Sequence, residues 1–508
     1  MLFNSWSFFL FFPVVTALFF MLPHRGRWLM LLIASCIFYM AFVPAYIFVL
    51  AAVIIVDYSA AIWIEKSQGR TRNLYLIGSI VFTCLILFFF KYFDFFAVNV
   101  TSLAQLIGWN YSVSVLEILL PIGLSFHTFQ SLSYVIEVHR GNQKPEKHFG
   151  IYALYVMFYP QLVAGPIERP QNLLPQFHEK HVFNYNDAVE GLKLIACGLF
   201  KKVVIADRLA LFVNPVYDNP TQYDGFALIV ATIFFTFQVF CDFSGYSDIA
   251  RGSARVMGFK LMLNFDRPYS AKTLSEFWKR WHISLSTWLR DYIYEPLVLK
   301  FRHAGTAGII LAIMLTFLAS GFWHGASWTF VIWGLLHGAM LSIEVILAKP
   351  RKRLSKMLPT TLFNGISIFI TFSFVSFSYI FFRAKTLEDA LYIIHQILSA
   401  TYNLFPLPLA HFRIFRDETI PKIYGTNIPT IFESILTTSP ARMEFILSIA
   451  LIVLLMGTHI LQKHYKTLDV ISARPWWVRW PTYQAAAFSL VFLGIWFVEK
   501  RDFIYFQF

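Results

Sequence analysis

Charged residues are scarce in this chain of 508 residues. Only 14% are Asp, Glu, Lys or Arg, against about 25% in an ordinary soluble domain. Apolar residues make up 57% of the chain and aromatic residues 19%, with 56 phenylalanines. This composition excludes a soluble globular enzyme and predicts an all-α, polytopic membrane protein, because apolar runs of about 20 residues cross a bilayer as helices.

Cysteines and nucleotide-binding motifs are also few. The four cysteines lie in or beside apolar runs, and no two form a CxxC pair: Cys36, Cys84, Cys197 and Cys241. They therefore give neither a disulfide framework nor a zinc site. The chain has no internal repeat, Walker loop or GxGxxG motif, so nothing supports an ATP-driven or dinucleotide-dependent enzyme. We expect no metal ion and no permanently bound cofactor.

Long apolar runs are numerous. They lie at residues 8–22, 28–43, 45–64, 74–96, 114–139, 150–166, 187–206, 225–241, 305–322, 327–348, 364–382, 444–462 and 484–498. Several are short or carry charges, so we expect about 10 to 13 transmembrane or re-entrant helices.

The basic residues predict the orientation. Arg25 and Arg27 follow the first run, EKSQGRTR follows the third, and RGNQKPEKH follows the fifth. The positive-inside rule places these loops in the cytoplasm and the N-terminus outside. KPRKRLSK, residues 349–356, is a further cytoplasmic anchor. The net charge of +13 is thus explained by anchors that face anionic lipid, without a nucleic-acid partner.

Polar residues are concentrated between residues 238 and 291, where the acidic residues include Asp242. Charges beside membrane spans are costly unless they pair or line a wet cavity, so we expect this segment to form the wall or mouth of an internal chamber. Thr273 and Glu276 have capping-box spacing for a helix. On that helix an aromatic stripe is predicted, with members Trp278, Trp281, Leu285 and Trp288.

Three histidines are candidate polar sites within apolar surroundings. His324, in FLASGFWHGASWTFV, has no acidic residue near it in sequence, and an ionisable group inside a membrane indicates function. The adjacent glycines, Gly321 and Gly325, allow close backbone approach. His282, beside the aromatic stripe, is either a hydrogen-bonded interfacial residue or part of a site. His337 lies about 220° around an ideal helix from His324 and is expected to face elsewhere as a packed polar contact.

Several motifs together carry a resemblance to a known family. They are EFWKRWHISLSTWLRDYIYEPL, SGFWHGASWTFVIWGLLHG, QVFCDFSGYSDIARGSARVMGF, NFDRPY and FYPQLVAGPIERP. The chain resembles the membrane-bound O-acyltransferases, and among them the bacterial polysaccharide acetylases typified by alginate O-acetylase. The similarity extends from KYFDFF and LPIGLSFHTFQSLSYVIEVHRG to the terminal FIYFQF.

The resemblance implies a fold and a location. It implies one domain over residues 1–508, arranged around a central funnel in a bacterial inner membrane. Within that domain we expect N-terminal spans at 1–139, a catalytic core at 140–348 and C-terminal spans at 349–508.

The resemblance also implies a reaction, in which an acyl group, expected to be acetyl, passes from cytoplasmic acetyl-CoA or a related thioester to a hydroxyl. The essential histidine of the family's WHG motif falls on His324, and another recurrent polar position falls on His282. A neutral imidazole suits a general base near pH 7. The oxyanion needs hydrogen-bond donors, for which Trp323, Trp281 and the His282 ring are candidates. Further candidates for binding substrate or donor are Trp278 and Asp242.

The implied acceptor is an extracytoplasmic polysaccharide such as alginate, reached through a separate acetyltransferase of the serine-esterase type. YEPLVLKFRHAG replaces the P-L-G-G-N-R type run usual in alginate acetylases, so the glycan stays open. Peptidoglycan O-acetylation and D-alanyl transfer to teichoic acid are alternatives, and a polysaccharide-precursor transporter or flippase is a rival of another class. The polar stretch 399–443 is either an outward insertion that meets a partner or a long inter-helix segment.

Two arginines flank His282 in sequence. On one continuous helix, the directions of Arg280 and Arg290 would differ by about 80° around the helix axis. Their guanidinium groups would then converge only loosely on one side. Guanidinium groups suit the phosphates of coenzyme A or phosphopantetheine. The alternative is pairing with Glu276 and Asp291, or with lipid phosphates.

Overall fold

The computed structural model describes residues 1–109, 111, 113, 115–116, 120–404, 439–462, 474–496 and 503–504. Within these ranges the chain forms helices and no β-strand, which confirms the predicted all-α class. Most of the polar stretch 399–443 lies outside the described residues.

The helices of the first half are α1 (Trp6–Met21), α2 (His24–Met40), α3 (Tyr46–Lys66), α4 (Gly69–Leu87), α5 (Phe93–Leu106), α6 (Leu124–Arg140), α7 (Phe149–Met157), α8 (Pro170–His178), α9 (Tyr185–Leu199), α10 (Asp207–Asp218) and α11 (Gly225–Val256). Those of the second half are α12 (Leu274–Trp278), α13 (Ile283–Leu289), α14 (Glu295–Lys300), α15 (Gly305–His324), α16 (Trp328–Ile346), α17 (Ala348–Met357), α18 (Thr360–Arg383), α19 (Leu387–Leu404), α20 (Ser439–Gln462) and α21 (Trp476–Leu493). Three π-helical segments, with one more residue per hydrogen-bonded turn, lie at Phe88–Tyr92, Phe200–Ala206 and Arg290–Tyr294.

Seven stretches of the described chain are long and apolar enough to cross a bilayer. They are Tyr46–Lys66, Gly69–Leu106, Gly225–Val256, Arg302–His324, Trp328–Ile346, Thr360–Arg383 and Arg442–Gln462. Other apolar runs form shorter helices such as α1, or helices buried inside the protein such as α7. The protein is therefore a multi-pass membrane protein.

The tryptophan-rich segment is not one helix. Thr273 caps α12 as predicted, since its hydroxyl accepts a hydrogen bond from the Glu276 N–H at 2.9 Å. However, α12 ends at Trp278, and His282 adopts a left-handed conformation with φ 43° before α13 begins. The prediction of a single helix carrying all these aromatic residues was wrong. The expected placement of Arg280 and Arg290 on one side of that helix was wrong for the same reason.

Helices α15 and α16 touch backbone to backbone. A Cβ atom added at Gly334 of α16 would lie 2.3 Å from the Phe317 carbonyl oxygen and 3.1 Å from the Cα of Gly321, both in α15. The close approach expected at Gly321 is confirmed. This packing fixes the distance between the two helices that flank His324.

Replacing Gly334 by Ala should force α15 and α16 apart. Overpacking of this kind costs about 1–3 kcal/mol, so we expect a lower melting temperature of the purified protein in detergent. Gly365→Ala is the matched control, because a Cβ at that α18 glycine would meet nothing within 4 Å. Equal melting temperatures for the two variants would contradict the packing argument.

Candidate active site

His324 lies where α15 ends and the chain turns into α16. Gly325 is extended, and Ser327 begins α16 by accepting a hydrogen bond from the Thr329 N–H. A Cβ at Gly325 would lie 2.2 Å from the Phe330 ring, so any larger residue would displace that ring. His324 is consequently buried, with 5% of its surface exposed.

The last carbonyl groups of α15 are bound by a distant part of the chain. The Lys91 ammonium donates to the carbonyl oxygens of Trp323 at 2.8 Å and His324 at 3.0 Å. The Tyr92 hydroxyl donates to the Phe322 carbonyl at 2.8 Å. A cation suits the negative end of a helix, and carbonyls buried there need partners. These two residues, in the KYFDFF motif, were not singled out in the sequence, although a lysine in an apolar run was a visible signal.

Aromatic rings surround the His324 imidazole. Its ring centre lies 4.8 Å from those of Trp323 and Trp333, and 5.3 Å from that of Phe382 in α18. All three contacts are edge-to-face. The imidazole is thus enclosed by apolar rings on several sides.

The rings of Trp278, Trp323, Trp333 and Phe382 form an aromatic layer beside His324. His337 faces the same aromatic layer, contrary to expectation. The 220° estimate assumed one continuous helix, whereas the chain breaks between His324 and Trp328. The His337 ring lies 4.7 Å from Trp333, whose ring also contacts His324. The polar contact expected for His337 is present: its Nδ1 accepts from the Trp278 indole N–H at 3.2 Å, and its Nε2 lies 2.9 Å from the Ser378 hydroxyl.

His282 is completely buried, and its left-handed turn is held by Asn264 of the NFDRPY motif. The Asn264 side-chain oxygen lies 3.3 Å from His282 Nδ1 and accepts hydrogen bonds from both the N–H and the hydroxyl of Ser284. The Asn264 carbonyl accepts from the Ile283 N–H. Burial lowers the pKa of His282 to about 3, so its imidazole is neutral at physiological pH.

Trp323 lies between the two histidines. Its ring centre is 6.1 Å from His282 and 4.8 Å from His324. Its indole N–H donates to the Ser125 carbonyl at 3.3 Å, and its ring stacks on Phe129. Trp323 therefore positions the rings, while its N–H is already engaged. Trp281 instead packs against rings at 5.0 to 6.3 Å that do not include His324: Phe240, Phe265, Phe277, Tyr269 and Tyr379.

A cavity of about 770 Å³ opens beside this layer. Trp278 and Phe317 line it, as do four cationic residues: Lys279, Arg290, Arg351 and Lys352. His324 itself does not line it. The ring of Trp278 lies 5.9 Å from that of Trp333, so one aromatic layer separates the cavity from His324.

The two predicted arginines have different surroundings. Arg280 pairs with Glu276 at 2.6 Å and is absent from the cavity wall. Arg290 lines the cavity but also pairs with Asp291 at 2.8 Å and lies 3.6 Å from Glu295. The predicted alternative of pairing with Glu276 and Asp291 is thus what the geometry shows.

The GPIERP motif supports the cavity wall. Arg169 pairs with Asp291 at 2.8 Å, and its guanidinium lies over the Tyr292 ring. Both partners belong to the π-helical segment Arg290–Tyr294, whose two terminal residues line the cavity. The neighbouring Glu168 is fully buried, and burial raises the pKa of its carboxyl group to about 7.

Asp242 lies apart from the cavity. Its carboxylate pairs with Lys202 at 2.6 Å and accepts a hydrogen bond from the Ile504 N–H at 2.8 Å. Phe503 and Ile504 are buried. Asp242 therefore links Ile504 to α11.

The chain is similar to known acyltransferases. A family model described as MBOAT, membrane-bound O-acyltransferase family, matches residues 148–382. Peptidoglycan O-acetyltransferase of Helicobacter pylori is 32% identical over 508 residues, covering 94% of this chain and 91% of that protein. A probable alginate O-acetylase of Pseudomonas aeruginosa is 37% identical over 434 residues, covering 84% and 80%. Teichoic acid D-alanyltransferase of Bacillus subtilis is 27% identical over 283 residues, covering 52% and 69%.

The relatives from Helicobacter and Pseudomonas match most of the chain, and the family model spans the cationic cavity wall, the two buried histidines and the α15–α16 turn. The resemblance seen in the motifs is thereby confirmed. The chain belongs to the membrane-bound O-acyltransferase family and is a multi-pass membrane O-acyltransferase.

Proposed function

We propose that this protein moves an acetyl group from a cytoplasmic acyl thioester, acetyl-CoA, to a hydroxyl for O-acetylation of an extracytoplasmic polysaccharide, with His324 as general base. The observation that carries the proposal is the position of His324: a buried imidazole one aromatic layer from a cavity whose wall carries four cations. A concave pocket lined by apolar and aromatic side chains, with polar or charged groups at defined positions, is the usual form of a small-molecule site.

The reaction needs one base and one oxyanion donor. His324 accepts the proton of the acceptor hydroxyl as that oxygen attacks the thioester carbonyl. The C–O bond forms, the tetrahedral intermediate collapses, and the C–S bond breaks. The thiolate that leaves takes the proton from the imidazolium, which restores the neutral ring. His282 has a supporting role, since its neutral ring and that of Trp323 fix one side of the site.

The cationic wall suits the phosphates of the donor. Lys279 and Lys352 are exposed at this wall, and neither forms an ion pair with a carboxylate in the described part of the chain. Arg351 and Lys352 lie on α17, within the segment whose basic residues predict the cytoplasmic side. Phosphates would bind at this wall, and the thioester arm would extend towards Trp278.

The named relatives guide the choice of acceptor. Two of them are a peptidoglycan O-acetyltransferase and a probable alginate O-acetylase, so a bacterial cell-envelope glycan is the proposed acceptor. The acyl group would leave on the outer face of the inner membrane, where the N-terminus also lies. An extracytoplasmic acetyltransferase of the serine-esterase type would complete the delivery.

A His324→Ala variant should reach the membrane in normal amount and lose acetyl transfer, because no other group replaces the base. The loss expected from one acid–base residue is about 10²- to 10⁴-fold. The measurements are release of coenzyme A thiol from acetyl-CoA by the purified protein, and ester-linked acetate in the exopolysaccharide and peptidoglycan fractions of cells.

The matched control is His303→Ala, which removes an exposed imidazole and should leave both measurements unchanged. Full activity of His324→Ala would contradict the assignment. Transport of unmodified glycan without thioester turnover would instead support a flippase. Acetate lost from one glycan fraction alone identifies the acceptor.

A double Lys279→Gln, Lys352→Gln variant should bind the donor less well. Exposed charge contacts are weak, so we expect the KM for acetyl-CoA to rise about two- to fivefold, with a smaller change at high salt because exposed charges are screened. Lys356→Gln is the control, since this exposed α17 lysine does not line the cavity. The same KM for both variants would exclude donor binding at this wall.

A further inference from the structure

The indole N–H of Trp333 has no hydrogen-bond partner among the described residues. Trp333 is 2% exposed, and buried N–H groups are nearly always paired. Five other tryptophans donate through their Nε1 atoms to a carbonyl oxygen, a histidine or an asparagine: Trp278, Trp288, Trp323, Trp328 and Trp496. The Trp333 N–H therefore lacks the acceptor that a buried donor normally has.

Trp333 is placed beside His324 by the packing of two helices. It precedes Gly334, where α16 touches α15. The indole ring meets the His324 ring edge to face at 4.8 Å, with 83° between the planes, and contacts His337 at 4.7 Å. Trp278, on the cavity wall, lies on the same layer at 5.9 Å. Trp333 is thus between the proposed base and the proposed donor cavity.

A second polar group near His324 is in the same condition. Ser320 lies one turn earlier on α15, is fully buried, and its hydroxyl has no partner among the described residues. Thr316, one further turn back, satisfies its hydroxyl by donating to the Ala312 carbonyl. Two groups close to His324 therefore lack a hydrogen-bond partner among the described residues: the Ser320 hydroxyl, one helical turn away, and the Trp333 N–H, whose ring contacts the His324 ring. They indicate that a polar ligand atom binds here.

We propose that the Trp333 indole N–H donates a hydrogen bond to the carbonyl oxygen of the reacting acyl group. This inference rests on the proposed function, in which His324 activates the acceptor hydroxyl. When the hydroxyl oxygen attacks, the carbonyl π electrons move onto the carbonyl oxygen, and a fixed N–H in an apolar site stabilises that negative charge more than the neutral ground state. The indole keeps its proton throughout, and the oxygen reforms its double bond as the thiolate leaves.

Trp333 suits this role better than the tryptophans expected from the sequence. The Trp323 N–H is engaged by the Ser125 carbonyl, and Trp281 has no described ring contact with His324. A donor whose partner arrives only with the substrate needs no rearrangement when the charge develops.

The test is Trp333→Phe, which keeps an aromatic ring and removes the N–H. With purified protein and acetyl-CoA, we expect kcat to fall about 100-fold, since loss of one oxyanion donor costs about 10²- to 10³-fold, while the KM for acetyl-CoA stays within about twofold. Trp328→Phe is the matched control, because that exposed indole donates to Asn99 instead. It should keep the wild-type kcat.

A second variant separates the lost hydrogen bond from lost packing. Incorporation of 3-benzothienylalanine at position 333 replaces N–H by sulfur and nearly preserves the size of the ring. The same fall in kcat with an unchanged melting temperature supports the donor role.

The possible results distinguish the role of Trp333 from the proposed function on which it rests. Wild-type kcat in the benzothienyl variant, together with an inactive His324→Ala variant, would overturn the role of Trp333 alone. A fully active His324→Ala variant would overturn the proposed function. A fall in melting temperature with kcat unchanged would make Trp333 a packing residue only.

Discussion

The geometry of the candidate active site depends on one requirement: a helix that ends inside an apolar protein must have its last carbonyl groups bound. Lys91 and Tyr92 bind those of α15, and they come from a π-helical segment, where the extra residue per turn changes the direction of side chains. Because the helix end is fixed, the imidazole of His324 has a defined position. The turn at Gly325 and the contact at Gly334 then determine the position of α16 and of the Trp333 indole ring.

The second histidine depends on a different kind of support. A left-handed conformation is unfavourable for any residue with a Cβ, by about 1–2 kcal/mol, and His282 adopts it because Asn264 holds both sides of the turn. Two short helices therefore meet at an angle where one straight helix would have carried the tryptophans past the site. Trp278 consequently points to His337 and Trp288 to Phe129.

Composition and motif spacing were sufficient to predict the helical membrane fold, the capping of α12 by Thr273 and the tight approach at Gly321. These features depend on local residues and on total hydrophobicity. The break at His282 could not be seen, because the spacing of aromatic residues stayed helical while the stabilising amide lies 18 positions away. The contact of Lys91 with α15 spans more than 230 positions, and no local pattern in a single sequence encodes such a pairing.

Helix α17 carries two of the cations on the cavity wall, and its basic residues also mark the expected cytoplasmic surface of the membrane. The same ammonium and guanidinium groups are thus within reach of lipid headgroups and of a soluble donor. Under the proposed function, anionic phospholipids are competing counterions for the entry site. The lipid composition of the membrane then affects the rate of the enzyme. Turnover measured in a zwitterionic detergent reflects donor binding at the entry site without competition from anionic lipids.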